Sequence, residues 1–236
     1  MNTLSPKKQQ MLEREERILA VARPIIVQDG YHGLSMERIA AEVEYSKGTI
    51  YNHFSCKEEI IIALAIQTAN IRVELFKRAA QFKGSSRFRM VAIGYAAEKF
   101  VRDYPDFFLF EQILQIPSVR SKVSEKRQNV VDNCEVQCMT VVTGIVRDAI
   151  AAEDLELPPG FSPEKLVFGM WALTSGGFTI ASSSESLRHI GLENPFDLIS
   201  DHTATLLDGF GWSPLSTDYD KQATIQRICE EVFGDE

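Results

Sequence analysis

Between Ser46 and Phe54 the chain reads SKGTIYNHF, and Lys47, Gly48, Thr49, Tyr51, Asn52 and His53 crowd into that run. All of these except the glycine end in a hydrogen-bonding side chain. Only Ile50 and Phe54 repeat at the four-residue spacing of a buried helix face. A helix this short, with so many donors outside and so few apolar anchors inside, is suited to presentation to a partner. Gly48 costs a helix roughly 1 kcal/mol against alanine, so helix propensity did not select it. A missing side chain near a helix N-terminus lets a phosphate or a base edge approach the backbone. The chemistry on offer is polar recognition. A capped helix pair on an ordinary protein surface has the same pattern.

Bond-making chemistry is thin elsewhere. His32, His53, His189 and His202 are scattered and lack metal-ligand spacing. There is no phosphate-cradling glycine loop, no nucleophile elbow and no matched pair of catalytic carboxylates. Neither catalysis nor a cofactor nor a metal is expected. Cys56, Cys134, Cys138 and Cys229 are too few for a disulfide scaffold and wrongly spaced for zinc. Cys134 and Cys138 stand four apart and share a helix face, either as inert buried thiols or as sensors of oxidants or electrophiles.

The polar run needs elements to hold it. Ser46 is placed to cap its helix, residues 47–53. Before it, residues 36–43 form a helix with Ile39, Ala40 and Val43 on one face, Ser35 as its cap, and Leu34 and Ile39 as a hydrophobic staple. Glu44-Tyr45 makes the turn between the two. Upstream, Ile18, Ala22, Ile25 and Ile26 form the buried stripe of a first helix that closes at Gly30 and is expected to bend near Pro24. Residues 1–10 read as a polar arm, in which Lys7 and Lys8 either brush phosphates or are simply solvated. Downstream, Ser55-Cys56-Lys57-Glu58 fits a capping box. It opens a long apolar-rich helix over residues 56–82, with Lys57 placed to reach a phosphate at the helix start.

These residues together resemble the N-terminal DNA-binding domain of the TetR family of bacterial repressors. The likeness runs without a gap from about Arg17 to Ala65. It includes the Gly30-Tyr31 turn, the Ile39-Ala40 pair, the Ser46-Lys47-Gly48-Thr49 run and the Tyr51, His53, Phe54 cluster. The resemblance implies a homodimer that binds a pseudo-palindromic double-stranded operator, with half-site centres roughly 34–36 Å or a multiple apart. Lys47, Gly48, Thr49 and Asn52 would approach base edges or nearby phosphates, while Ser35, Tyr51, His53 and Lys57 would hold the backbone. Three positions depart from the family pattern. Glu44 replaces a turn glycine, at a cost on the order of 1 kcal/mol if φ is positive there. Asn52 stands where an aromatic or arginine is common, and asparagine reads adenine well in the major groove. Cys56 replaces a small polar cap.

Beyond residue 83 the chain reads as helices throughout. They are expected over residues 88–103, 107–115 with Asp106 as cap, 117–152 as one long helix, 163–182, 194–209 and 217–233 with Thr217 as cap. The fold class is therefore all-α, with residues 1–55 as a helix-turn-helix domain and residues 56–236 as a helical bundle. Tyr95, Phe107, Phe108, Phe110, Cys134, Cys138, Met139, Trp171 and Phe178 form an aromatic and sulfur set, which either packs as core or lines a cavity for a mostly apolar small molecule. The family likeness implies an effector pocket among these helices, the long helix from residue 56 as the carrier of its signal, and a four-helix dimer interface. That interface would use Trp171 to Gly177 and Phe196 to Leu207.

Composition agrees with this reading. The 236 residues are 44% hydrophobic and 25% charged, which suffices for a substantial core. No run of eighteen apolar residues exists and residues 1–16 lack an apolar signal region, so the chain is expected in the cytoplasm, apart from any membrane. Net charge is −8, yet seven basic and seven acidic residues cancel over residues 1–53. An acidic C-terminal body keeps nonspecific DNA affinity low and places weight on base and shape readout. The alternative class is a helical small-molecule carrier with a vestigial helix-turn-helix, distinguished by lack of salt-sensitive DNA binding.

Overall fold

The computed structural model describes residues 5–183 and 185–234, and every regular element among them is a helix. Met1 to Leu4 of the expected arm lie outside the described residues. The α-helices are α1 (Pro6–Gly33), α2 (Met36–Glu42), α3 (Lys47–His53), α4 (Lys57–Ala80), α5 (Ser86–Asp103), α6 (Pro105–Leu114), α7 (Pro117–Arg120), α8 (Glu125–Ala151), α9 (Pro163–Ser183), α10 (Pro195–Gly209) and α11 (Lys221–Ile228). A 3₁₀ turn, Glu185–Ile190, precedes α10, and a π-helical turn, Cys229–Phe233, extends α11. None of the described helices is long and apolar enough to cross a membrane.

The structure forms two compact units, Met1–Asn70 with Tyr104–Asn133, and Ile71–Asp103 with Cys134–Glu236. Helices α4 and α8 each contribute to both. The first unit buries the α1 stripe Ile18, Ala22, Ile25 and Ile26 against Ile39, Ala40, Ile50 and Phe54, with Ile60, Ile61 and Leu64 of α4. Phe107, Phe110 and Ile113 of α6 complete this core, and Arg23 lies over the Phe107 ring at 4.8 Å while pairing with Asp106 at 2.9 Å. That ion pair occupies the carboxylate expected to cap α6. The helix starts instead at Pro105, whose missing N–H is harmless at the first position.

Several expected boundaries shift for local reasons. Helix α1 begins at Pro6, so Lys7 and Lys8 are helical rather than part of an arm. Its dihedrals stay helical through Pro24, and the one departure inside it is Gly30 at φ 69°. The long helix expected from residue 117 is two helices. The chain breaks over residues 121–124 because α4 takes its polar groups: Lys122 Nζ donates to Glu58 Oε1 at 2.9 Å, and the Ser124 N–H donates to the Glu59 carboxylate. Val123 is buried in the same turn. Near the C-terminus Asp220, not Thr217, caps α11, accepting the Ala223 N–H at 3.0 Å.

The second unit is centred on Trp212, which is fully buried and donates from Nε1 to Ser86 Oγ at 2.9 Å. Ser86 in turn donates to Asp154 Oδ2 at 2.6 Å, which ties the start of α5 to the segments after α8 and after α10. Helices α9 and α10 pack closely because Gly177 has no side chain; a Cβ there would meet Ile199 Cγ1 at 2.7 Å. Of the adjacent small pair, Gly177 therefore provides the close approach. Gly176 is exposed, with nothing within 4 Å of a Cβ.

Candidate nucleic-acid interface and effector cavity

Helix α3 is held at both ends. Ser46 Oγ accepts the Thr49 N–H at 3.1 Å and sits 2.8 Å from Thr49 Oγ1, so the cap is shared by two hydroxyls. Phe54 returns its N–H to the Ile50 carbonyl at 3.0 Å and is itself buried. Ile50 is fully buried and the His53 side chain nearly so, which leaves Lys47, Gly48, Tyr51 and Asn52 exposed, Tyr51 by 49%. A Cβ on Gly48 would meet nothing closer than Ser46 Oγ at 3.8 Å, so internal packing does not demand glycine. Lys47 reaches Glu37 Oε1 at 3.1 Å in an exposed pair that a phosphate can replace at little cost.

The turn before α3 carries Glu44 at φ 58°, the left-handed region in which a β-carbon is strained. Ser35 caps α2 as expected, accepting the Arg38 N–H at 3.1 Å. His53 departs from the expectation that it faces out. Its side chain is only 6% exposed and its Nδ1 lies 3.5 Å from Glu15 Oε1 of α1. The last turn of α3 rolls toward α1 as Ile50 and Phe54 enter the core, and it carries the imidazole with them.

Lys57 is also turned inward. Its Nζ donates to the carbonyls of Tyr31 at 2.9 Å and Leu34 at 3.1 Å and sits 3.9 Å from the Tyr31 ring centroid. Burial pulls its pKa below the ordinary lysine value. Beside it, Glu58 accepts from Tyr31 Oη at 2.5 Å and from Lys122. Burial alone raises a carboxyl pKa, but the hydrogen bonds from Tyr31 and Lys122 outweigh it and hold Glu58 at about 2. Glu59 is likewise buried, and its pKa is lowered by the Ser124 N–H and Arg127 despite the desolvation. The first turn of α4 therefore ties the end of α1 to the α7–α8 turn through charged groups.

The nine-residue aromatic and sulfur set is dispersed. Phe107, Phe108 and Phe110 belong to the first unit, where Phe107 and Phe110 pack in its core. Cys134 and Cys138 are buried on α8, Met139 is half-buried there, and Trp171 is 38% exposed on α9. Tyr95 and Phe178 alone of the nine line a cavity of about 280 Å³ in the second unit, between α5, α9, α10 and α11. Arg87, Met90, Gly94, Phe196, Ile199 and Tyr219 share that lining and were not expected from sequence. Gly94, a glycine in mid-helix, was the one local signal. The second unit also has an open groove by Arg78, Lys83 and Arg227. Among the described residues no cluster of His, Cys, Asp and Glu is arranged to hold a metal.

Comparison with known proteins gives matches over the N-terminal residues. Residues 18–64 match the family model of bacterial regulatory proteins, tetR family. The chain is 43% identical over 51 residues to the transcriptional regulator UidR of Escherichia coli K12, a match covering 22% of this chain and 26% of UidR. It is 41% identical over 64 residues to the DNA-binding transcriptional repressor TetR of Mycobacteroides abscessus, covering 27% and 34%. These matches thus span only about a quarter to a third of the curated relatives. In fold, the chain resembles a tetR-family regulatory protein from Rhodococcus RHA1, with a TM-score of 0.62 at 19% identity over 84% of this chain and 97% of that one. A TetR/AcrR-family regulator from Thermobifida fusca gives a TM-score of 0.59 at 19% identity over 84% and 98%.

Proposed function

We propose that this chain, a TetR-family protein by its N-terminal domain and its fold, is a homodimeric repressor released from a pseudo-palindromic operator by a small, mostly apolar effector. The observation that carries the DNA-binding part is the surface of α3. A seven-residue helix capped by Ser46 turns Ile50 and His53 inward and presents Lys47, Gly48, Tyr51 and Asn52. Lys47, Gly48, Thr49 and Asn52 approach base edges or nearby phosphates, and Tyr51 contributes a phosphate contact from its exposed hydroxyl. Ser35, His53 and Lys57 act chiefly by fixing the reader, since their side chains are engaged in the cap of α2, the Glu15 contact and the carbonyls at the end of α1. Residues 1–55 form the reader and residues 56–236 the regulatory part.

Dimerisation is supported by α9. Phe168, Trp171 and Ile180 are exposed by 62%, 38% and 55%. Together with the exposed Ala172 and Gly176 they make an apolar strip at helical spacing. Two such strips, with α10 beside each, form a four-helix interface. The effector favours the dimer state whose readers mismatch the operator spacing, and only its differential affinity for the two states drives release.

Selection of bound duplexes from a random pool at near-physiological salt tests this reading. Recovery of a palindrome whose half-site centres lie about one helical turn, or a multiple, apart is the expected result. No enrichment by the intact protein, with or without cell extract, overturns it in favour of a small-molecule carrier.

A further inference from the structure

The open groove of the second unit concentrates positive charge on a chain whose net charge is −8. Arg78, Phe82 and Lys83 line it from the end of α4 and the residues after it, and Arg227, Glu231 and Val232 from α11 and the π-helical turn. Three cations stand there against one carboxylate. All three are exposed, so a ligand can reach each of them.

Both arginines are fixed in place before anything binds. Arg78 donates from Nε and Nη2 to the Val232 carbonyl at 3.1 and 2.6 Å and lies over the buried Phe233 ring at 5.4 Å. Arg227 donates from Nε and Nη2 to Glu231 Oε1 at 3.2 and 3.0 Å and lies over the buried Phe82 ring at 5.2 Å. These contacts hold the π-helical turn, yet they use only part of each guanidinium. Nη1 of both arginines and Nζ of Lys83 have no partner among the described residues. A guanidinium already held flat against a ring loses little side-chain entropy when it meets an anion.

The charge is unanswered in the same places. Glu231 answers Arg227, whereas the partners of Arg78 are a carbonyl and a ring, and Lys83 has none. Lys77, on the same helix but outside the groove lining, is met by Glu74 at 2.9 Å. Helix C-termini disfavour anions, but here their carbonyls are occupied. Gln81 and Phe82 donate to the carbonyls of Arg78 and Ala79, and Arg78 covers that of Val232. The groove keeps an excess of two positive charges and three unspent donors.

We propose that this groove is a binding site for a phosphate-bearing small molecule. A phosphate monoester near neutral pH carries about −1.5 to −2 charges and three strong acceptor oxygens, which match the excess charge and the donors. A monocarboxylate leaves one charge unanswered. A volume of about 630 Å³ is room for roughly twenty waters, so an organic body fits beside the phosphate, against Phe82 and Val232. The groove shares no lining residue with the cavity between α5, α9, α10 and α11, and its assignment does not rest on DNA binding.

Ligand-observed NMR titration of the full chain with phenyl phosphate, benzoate and phenol, at one ionic strength and neutral pH, tests the site. The three share a ring and differ in carrying a dianion, a monoanion or no charge. Phenyl phosphate is expected to bind at least about tenfold more tightly than benzoate, the worth of one charge-assisted hydrogen bond, and phenol not to bind. Lys83→Glu is expected to weaken phenyl phosphate at least about tenfold with an unchanged melting temperature, because Lys83 makes no contact that folding needs. Lys126→Glu, an equal change of charge on an exposed residue of α8 outside the groove lining, is expected to leave the affinity unaltered. Absence of phenyl phosphate binding to the unsubstituted chain overturns the site. So does an equal loss in both variants, which marks diffuse attraction only. Benzoate or phenol binding as tightly as phenyl phosphate overturns the ligand class.

Discussion

Glu58→Gln isolates the charge at the junction between the reader and the helix that follows it. Glu58 is 3% exposed and accepts from Tyr31 Oη at 2.5 Å and Lys122 Nζ at 2.9 Å. Glutamine keeps the shape and one acceptor but removes the charge. The carboxyl pKa falls from an ordinary 4.5 to about 2 on folding, which corresponds to on the order of 3 kcal/mol at pH 7. Because the folded pKa is the lower one, that contribution is complete above about pH 4.5 and is lost as pH falls toward 2. By pH 3.5 roughly two fifths of it has gone. Glutamine does not titrate, so the stability gap between the two proteins must narrow over that window. Urea unfolding of both chains, at one fixed protein concentration and at pH 7, 5 and 3.5, reads the gap directly. A gap near 3 kcal/mol at pH 7 and 5 that shrinks at pH 3.5 is the expected result. A gap as wide at pH 3.5 as at pH 7 would refute the assignment of this stability to the ionised carboxylate.

Glu44→Gly relieves the positive φ of the helix-turn-helix turn and is expected to stabilise the chain by about 1 kcal/mol, read as a higher urea midpoint with unchanged slope. Gly177→Ala forces a Cβ to within 2.7 Å of Ile199 and is expected to cost about 1–3 kcal/mol, lowering the melting temperature by about 2–4 °C per kcal/mol. Phe168→Glu places a charge on the exposed strip of α9. Sedimentation equilibrium should then show monomer at concentrations where the unsubstituted chain is a dimer, with the helical circular dichroism unchanged.

The reader was largely legible because its determinants are local. Caps, a staple and a four-residue apolar repeat act over a few positions, and Ser35, Ser46, Ile50 and Phe54 do in the structure what their spacing implies, whereas Gly30 kinks α1 and the helix closes only at Gly33. The all-α class followed from the same kind of signal. His53 and Lys57 were misjudged as outward-facing because periodicity locates a residue on a helix, whereas the direction of a long or planar side chain depends on what packs beside it. Here the carbonyls of Tyr31 and Leu34 draw Lys57 in, and His53 follows Ile50 and Phe54 toward α1.

What tertiary structure alone decided lies mostly beyond residue 103. The break between α7 and α8 is made by Glu58 and Glu59, more than sixty residues upstream in sequence, and no local pattern around Ser121 announces it. The aromatic and sulfur set was assembled by residue type. Type cannot distinguish Phe107, a core ring beneath Arg23, from Phe178, a cavity wall. Short-range hydrogen bonding and helix period are written in neighbouring residues. Which buried faces meet, and where they fail to fill space, depends on pairs brought together by the whole chain.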